Sequence, residues 1–346
     1  MKKWLKIIAL ILGILLLAAF SLYQVYLSPA FAEKPDLSAE LQIDSLRIGE
    51  QSRSYHWYAP AEKQDINTIL YVLHGSRSSG EEVRLSTSYE FDKIADEAGI
   101  LIVYPTGFEN HWNDCRASAD YSANTADVDD FAFFEQMEAQ LEKKLNSQFQ
   151  YRFATGHSNG GHMCFKLALE HPDWIQGIAP ISANLPIDDN LDCKKQETFV
   201  PICLINGTAD NINPYEGGLV EILGNASRGT VLSTDETMAY WTGLSDCSEA
   251  KTEELPDKAE GDESRVVQSS WSCAGTIQAI NYKVVNGGHT IPHPEGRFPK
   301  LLGTTNQDMN APRAIWAFFR TIREQIEIQN QELIDKETAT SPPALP

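Results

Sequence analysis

The sequence predicts a single α/β domain with a doubly wound, mostly parallel sheet. Three observations lead there. Short apolar runs rich in β-branched residues recur along the chain and end in turn signals; amphipathic helical patterns lie between them; and one such run passes through Gly156-His157-Ser158-Asn159-Gly160 straight into a helical pattern. Strands that are apolar on both faces need cover on both sides, which helices crossing between parallel strands supply. At 42% hydrophobic residues over 346 positions the chain can bury a large core, and α/β folds reach this size as one unit.

The N-terminus reads as an export signal. "MKKWLK" is a basic leader, "IIALILGILLLAAF" an unbroken apolar stretch, and "AFA" before Glu33 a small-x-small cleavage pattern. Cleavage there is the favoured expectation. The alternative is a retained anchor over residues 7–27, since about 20 apolar residues span a bilayer. Lys2, Lys3 and Lys6 keep the N-terminus cytoplasmic in either case, so the rest is exported. Residues 1–32 are therefore assigned to a signal peptide or anchor, and 40–326 to the folded domain.

Within that domain "RSYHWYAP", "INTILYVLHG", "ILIVYPTG", "YRFATG", "IQGIAPIS", "VPICLING" and "IQAINYKVV" read as strands. A helix is expected through "FAFFEQMEAQLEKKL" with Asp129 or Asp127 as N-cap, another over "GGHMCFKLALEH" stopped by Pro172, and a third from "APRAIW" with Pro312 in its first turn. Residues 327–346 lose their apolar period and end Pro-rich, so they are expected to be disordered.

Charge excludes one class of partner. With 28 basic against 48 acidic residues the net charge is −20, which repels nucleic acid and anionic lipid. Membrane contact is expected only through the N-terminal segment. Six cysteines suit an oxidising compartment but allow fifteen pairings. Cys164 reads as a buried free thiol. No Cys/His cluster has zinc spacing, so neither a metal nor another cofactor is expected.

Gly156 to Gly160 fits G-x-S-x-G between a strand and a helix, the context of a nucleophile elbow in the α/β-hydrolase fold. Ser158 is then the candidate nucleophile, and it needs a base to take its proton. The order Ser, acid, His places the acid after a late strand and the histidine after the last. Asp210 follows "VPICLING" and His289 follows "YKVVNGG". The rivals His157, His162, His171 and His293, and Asp235 and Asp246, fit that order less well. For an oxyanion hole, the backbone N–H of Asn159 is one candidate and that of Ser76, after "LHG", the other.

Together, "RSYHWYAP", "LHG", "YPTG", "WNDC", "DVDDFAFF", "GHSNGG", "NGTADNINPYEGG" and "GGHTIP" resemble exported esterases of the polyhydroxybutyrate depolymerase type, which include feruloyl and acetylxylan esterases. The resemblance covers roughly residues 52–320. It implies the same triad, Ser158, Asp210 and His289. It further implies a place for Trp112 near the acyl side of the cleft, where otherwise it is a core aromatic, and a disulfide between Cys247 and Cys273. Two departures stand out. Ser76 replaces a frequent cysteine, and Ile291 stands where an aromatic wall is common.

The expected function is an exported serine ester hydrolase acting on short hydroxyacyl esters or oligomers. Feruloyl or acetylxylan esterase activity is the nearest alternative, and a catalytically silent binding protein the alternative of a different class. Loops 183–200 and 212–275 are expected to shape the cleft. The sequons at Asn206 and Asn225 read as chance matches.

Overall fold

The computed structural model describes residues 2–62, 65–222 and 224–340. Helix α1 (Lys2–Tyr26) leaves its apolar stretch between Lys3 and Leu22 unburied, and that stretch is long and apolar enough to cross a membrane. The strands β1 (Gln42–Ile48), β2 (Gln51–Tyr58), β3 (Thr68–Leu73), β4 (Leu101–Pro105), β5 (Tyr151–His157), β6 (Gly177–Ile181) and β7 (Ile202–Gly207) follow. A two-residue pair, β8 (Gly218–Leu219) and β9 (Thr230–Val231), lies apart from the main sheet, which β10 (Cys247–Glu254), β11 (Arg265–Cys273) and β12 (Thr276–Val285) complete.

The main sheet has the order β1-β2-β4-β3-β5-β6-β7-β12-β11-β10. From β4 to β12 all neighbours are parallel, while β1, β2, β10 and β11 add antiparallel edges. β3 shows why the centre must be covered twice. Ile69, Tyr71 and Leu73 enter one core and Leu70 and Val72 the other, as a period of two dictates.

Helices α5 (Asp130–Leu145), α6 (Asn159–Glu170) and α7 (Thr234–Gly243) supply Phe133, Phe134, Phe165 and Trp241 to the first core. Helices α2 (Gly80–Ser86), α3 (Glu90–Ala98) and α8 (Ala311–Thr340) supply Val83, Phe91, Ile315 and Phe319 to the second. Each such side chain stabilises the fold by about 2 kcal/mol through apolar burial. α4 (Ser122–Thr125) is a single turn in the long connection before α5. Local signals end these helices as the sequence requires: Asp129 accepts from the Ala132 N–H at the start of α5, and Ser233 and Glu236 form a capping box at α7.

The expected strands and helices all form, and the doubly wound fold is the one observed. Helices α2, α3, α4 and α7 and the β8–β9 pair were not singled out from the sequence, and two further features differ from expectation. The strands β1, β10 and β11 escaped notice because their many polar residues hide the alternation. The chain also does not lose structure at 327, since α8 continues to Thr340. Residues 327–336 are exposed and make i,i+4 contacts, Gln331 to Asp335 at 2.8 Å and Lys336 to Glu332 at 3.9 Å. An apolar period reports burial, and this segment is helical without being buried. Residues 341–346 of the expected tail lie outside the described residues.

Two disulfides are present, Cys247–Cys273 and Cys115–Cys193, with Cys164 and Cys203 free and buried. Cys247 and Cys273 face each other across the β10–β11 ladder. The Asn206 sequon side chain is buried and bonded to Ala183 and Thr234, which leaves no room for a glycan.

Candidate active site

The loops that follow β3, β5, β7 and β12 meet at the carboxyl ends of the parallel strands, the usual place for a site in such sheets. Between the end of β5 at His157 and the start of α6 at Asn159 a single residue reverses the chain. That residue is Ser158, with φ 56° and ψ −117°, a conformation side chains rarely adopt. The flanking glycines make the turn possible: a Cβ on Gly156 would lie 2.4 Å from the Gly160 carbonyl, and one on Gly160 2.4 Å from the Leu73 oxygen. The Ser158 N–H donates to Ile181 O at 2.8 Å, and the Asn159 N–H lies in the first turn of α6, where no intrahelical acceptor is in reach.

His289 and Asp210 form a second unit. Their side chains are buried, and Nδ1 of His289 donates to Oδ2 of Asp210 at 2.7 Å. Oδ1 of Asp210 accepts the backbone N–H groups of Ile212 and Asn213, both at 2.8 Å. The carboxylate is thus fully used, and its orientation fixes that of the imidazole. His157 packs against His289 with ring centroids 4.8 Å apart. Burial, and next the His289 charge, push it well below the usual histidine range, so it stays neutral. His162 is buried in α6, His171 stacks on Phe131, and His293 accepts two backbone N–H groups in a turn. Asp235 accepts from the Tyr215 hydroxyl, and Asp246 lies in the turn after α7.

The loop after β3 is held by a buried polar network. His74 donates from Nδ1 to Gly75 O at 2.7 Å and accepts the Gly107 N–H at Nε2. Burial drives its pKa down to about 4, which preserves that tautomer. Asn159 accepts the Trp112 N–H and donates to Trp112 O and to Asp114. Asp114 in turn holds Arg116. The Ser76 hydroxyl donates to the Tyr121 hydroxyl at 3.0 Å.

Trp112 does not line the cleft. It is fully buried, stacked on Phe134, and its indole N–H donates to His74 O at 3.0 Å. The site is thus supported from below by a residue expected in its wall, because the indole finds its acceptor inward. Ile291 is likewise packed in the second core. Of the other expected site residues, Ser158, His289 and Ser76 line one cleft of about 690 Å³ together with Arg228, Pro29 and Phe31, and Asp210 reaches it through its bond to His289.

Arg228, Pro29 and Phe31 were not foreseen. Arg228 belongs to the loop region expected to shape the cleft, but no motif marks it. Pro29 and Phe31 belong to the segment assigned to the export signal. Ala30 pairs with Arg297 through two backbone hydrogen bonds, and the Phe31 ring meets Phe298 edge-on at 5.4 Å. Only the fold brings them to the cleft.

This sheet order, with a serine at the β5–α6 elbow and an Asp–His pair after later strands, defines an α/β-hydrolase fold. No family model matches the sequence. The chain is 26% identical over 292 residues to a protein described as "Putative esterase NocK" from Nocardia uniformis subsp. tsuyamanensis, covering 80% of this chain and 82% of that one. It is 25% identical over 165 residues to feruloyl esterase B from Piromyces equi, covering 47% of this chain and 29% of that protein. Among solved structures, an acetyl xylan esterase from Aspergillus awamori aligns with TM-score 0.47 and 13% identity over 73% of this chain and 95% of that one.

Proposed function

We propose that the protein is an exported serine carboxylic ester hydrolase that works through Ser158, His289 and Asp210. The observation that carries this reading is the 2.7 Å bond from His289 Nδ1 to Asp210, made beside a cleft that His289 and Ser158 share. The chain is an enzyme of the serine-hydrolase class. With Nδ1 committed to Asp210, the other imidazole nitrogen is the one that accepts the Ser158 proton as Oγ attacks the ester carbonyl. Asp210 stabilises the imidazolium that forms. The N–H groups of Asn159 and Ser76 take the charge of the tetrahedral intermediate, the alcohol leaves with the proton from His289, and water then releases the acid. No step calls for a cofactor.

For the substrate we propose short hydroxyacyl esters or oligomers, as in polyhydroxybutyrate depolymerase-type enzymes. The motif resemblance supports this, as does a cleft sized for a small ester. A second reading, action on feruloyl or acetyl esters of plant polysaccharide, draws on the similarity to feruloyl esterase B. The apolar leader and the two disulfides support export.

Hydrolysis of a 4-nitrophenyl ester series, hydroxybutyrate oligomers, methyl ferulate and acetylated xylan tests these readings, each beside Ser158→Ala. Loss of the nucleophile is expected to cost on the order of 10⁶ in kcat. Equal rates in the two proteins would refute the triad. Activity confined to ferulate or xylan would select the second reading.

A further inference from the structure

The buried arginines of this protein follow a rule with one exception. Arg53 pairs with Asp130 at 2.7 Å, Arg84 with Asp92 at 2.6 Å and Arg116 with Asp114 at 2.5 Å. Arg228 is buried to a similar degree, at 6% exposure, yet no carboxylate lies within 4.0 Å of it among the described residues. A buried cation without a counter-charge is costly, and a net charge of −20 means carboxylates are plentiful.

The guanidinium is nonetheless held firmly. Nε donates to the Tyr121 hydroxyl at 2.8 Å and Nη1 to Asn225 O at 3.2 Å, while Nη2 has no protein acceptor among the described residues. Arg228 lines the same cleft as Ser158 and His289. So does Arg77, an exposed residue that also has no carboxylate partner among those described. The two arginines share a neighbour: both charges add to burial in lowering the pKa of His111, whose ring stacks on Tyr121. Three carboxylates belong to this neighbourhood, and none makes an ion pair with either arginine: Glu82 in the cleft wall accepts from Ser79, Asp120 accepts from Ser227, and Glu109 acts on His111.

We propose that Arg228 and Arg77 form a carboxylate-binding subsite, so that the preferred ester carries a free carboxylate elsewhere in the molecule. This rests on the ester-hydrolase reading above and narrows it. An oligomer of a hydroxy acid, cut near its acid end, has that chemistry, whereas a simple acetyl ester lacks it. A planar carboxylate suits the free edge of a guanidinium already oriented through its other nitrogens.

The test compares mono-4-nitrophenyl adipate, which is anionic, with the neutral 4-nitrophenyl hexanoate. In Arg228→Gln and in Arg77→Gln the ratio of their kcat/KM values is expected to fall by about 10-fold or more relative to wild type. A ratio that stays constant, including an equal fall for both esters, would overturn the proposal, because it assigns Arg228 only to support of Tyr121 and Ser76. Calorimetric binding of monomethyl adipate and dimethyl adipate to Ser158→Ala protein gives a readout free of turnover. Tighter binding of the monoester, weakened about 10-fold by Arg228→Gln, is the expected result. Equal binding of the two would refute the subsite. If the wild type hydrolyses neither nitrophenyl ester, the hydrolase reading fails, and the calorimetry still judges the subsite alone.

Discussion

Asp210→Asn isolates one proton. In the wild type, Oδ1 accepts two backbone N–H groups and Oδ2 accepts Nδ1–H of His289. An asparagine keeps the shape but offers one acceptor and one donor. Turning its NH₂ toward Ile212 and Asn213 would set it against two donors, whereas turning it toward His289 sets it against one. The amide oxygen therefore stays on the backbone pair, and the NH₂ faces Nδ1. Nδ1 must then accept, and the imidazole proton moves to Nε2, the nitrogen that should receive the Ser158 proton. The expected loss is about 10⁴ in kcat, or about 5.5 kcal/mol of barrier. Folding should change by about 1 kcal/mol or less, since the backbone bonds persist. The assay is kcat on 4-nitrophenyl acetate, with the tautomer read by ¹⁵N NMR of the imidazole. Activity within tenfold of wild type, or an unchanged tautomer with activity lost, would refute this reasoning.

Other perturbations probe the fold and the cleft. Gly160→Ala gains about 1 kcal/mol of helix propensity, but its Cβ would meet backbone oxygens of Leu73 and His74 at 2.4 and 2.7 Å. The clash should win by about 2 kcal/mol or more in urea unfolding, and a neutral or stabilising result would contradict it. Burial holds His74 at about 4, and burial with the Arg116 charge holds His162 at about 3, against 6.5 when solvated. The unfolded chain therefore takes up protons first, so this stability is intact above about pH 6.5 and is lost as pH falls toward 4. The slope is up to about 1.4 kcal/mol per pH unit for each group. Urea unfolding from pH 7 to 5 should show a shallower slope in His162→Gln, and identical slopes would count against the assignment. Deleting residues 1–32 removes Pro29 and Phe31 from the cleft, and should raise KM for a short apolar ester by about 10-fold relative to a chain starting at residue 28. An unchanged KM would show that this wall does not touch substrate.

Local chemistry made much of this protein legible in its sequence. The apolar runs of β3 to β7 are continuous because both faces are buried, and those of β3, β5 and β7 lead into the turns that carry the candidates Ser76, Ser158 and Asp210. Gly156 and Gly160 bracket Ser158 because the elbow leaves no room for a Cβ, so steric need appears as a motif. Asp210 and His289 could be placed because strand order constrains which loops meet.

What the tertiary structure alone decided depends on contacts between distant segments. Trp112 is aromatic whether it faces a cleft or a core, and only the position of His74 O turns its N–H inward. Arg228 resembles any surface arginine until the fold removes it from water without a carboxylate at hand. Pro29 and Phe31 read as part of a leader, and it is the pairing of Ala30 with Arg297 that carries them to the cleft. Sequence reports what a residue can do, but burial and partnership across the fold settle which of those capacities it uses.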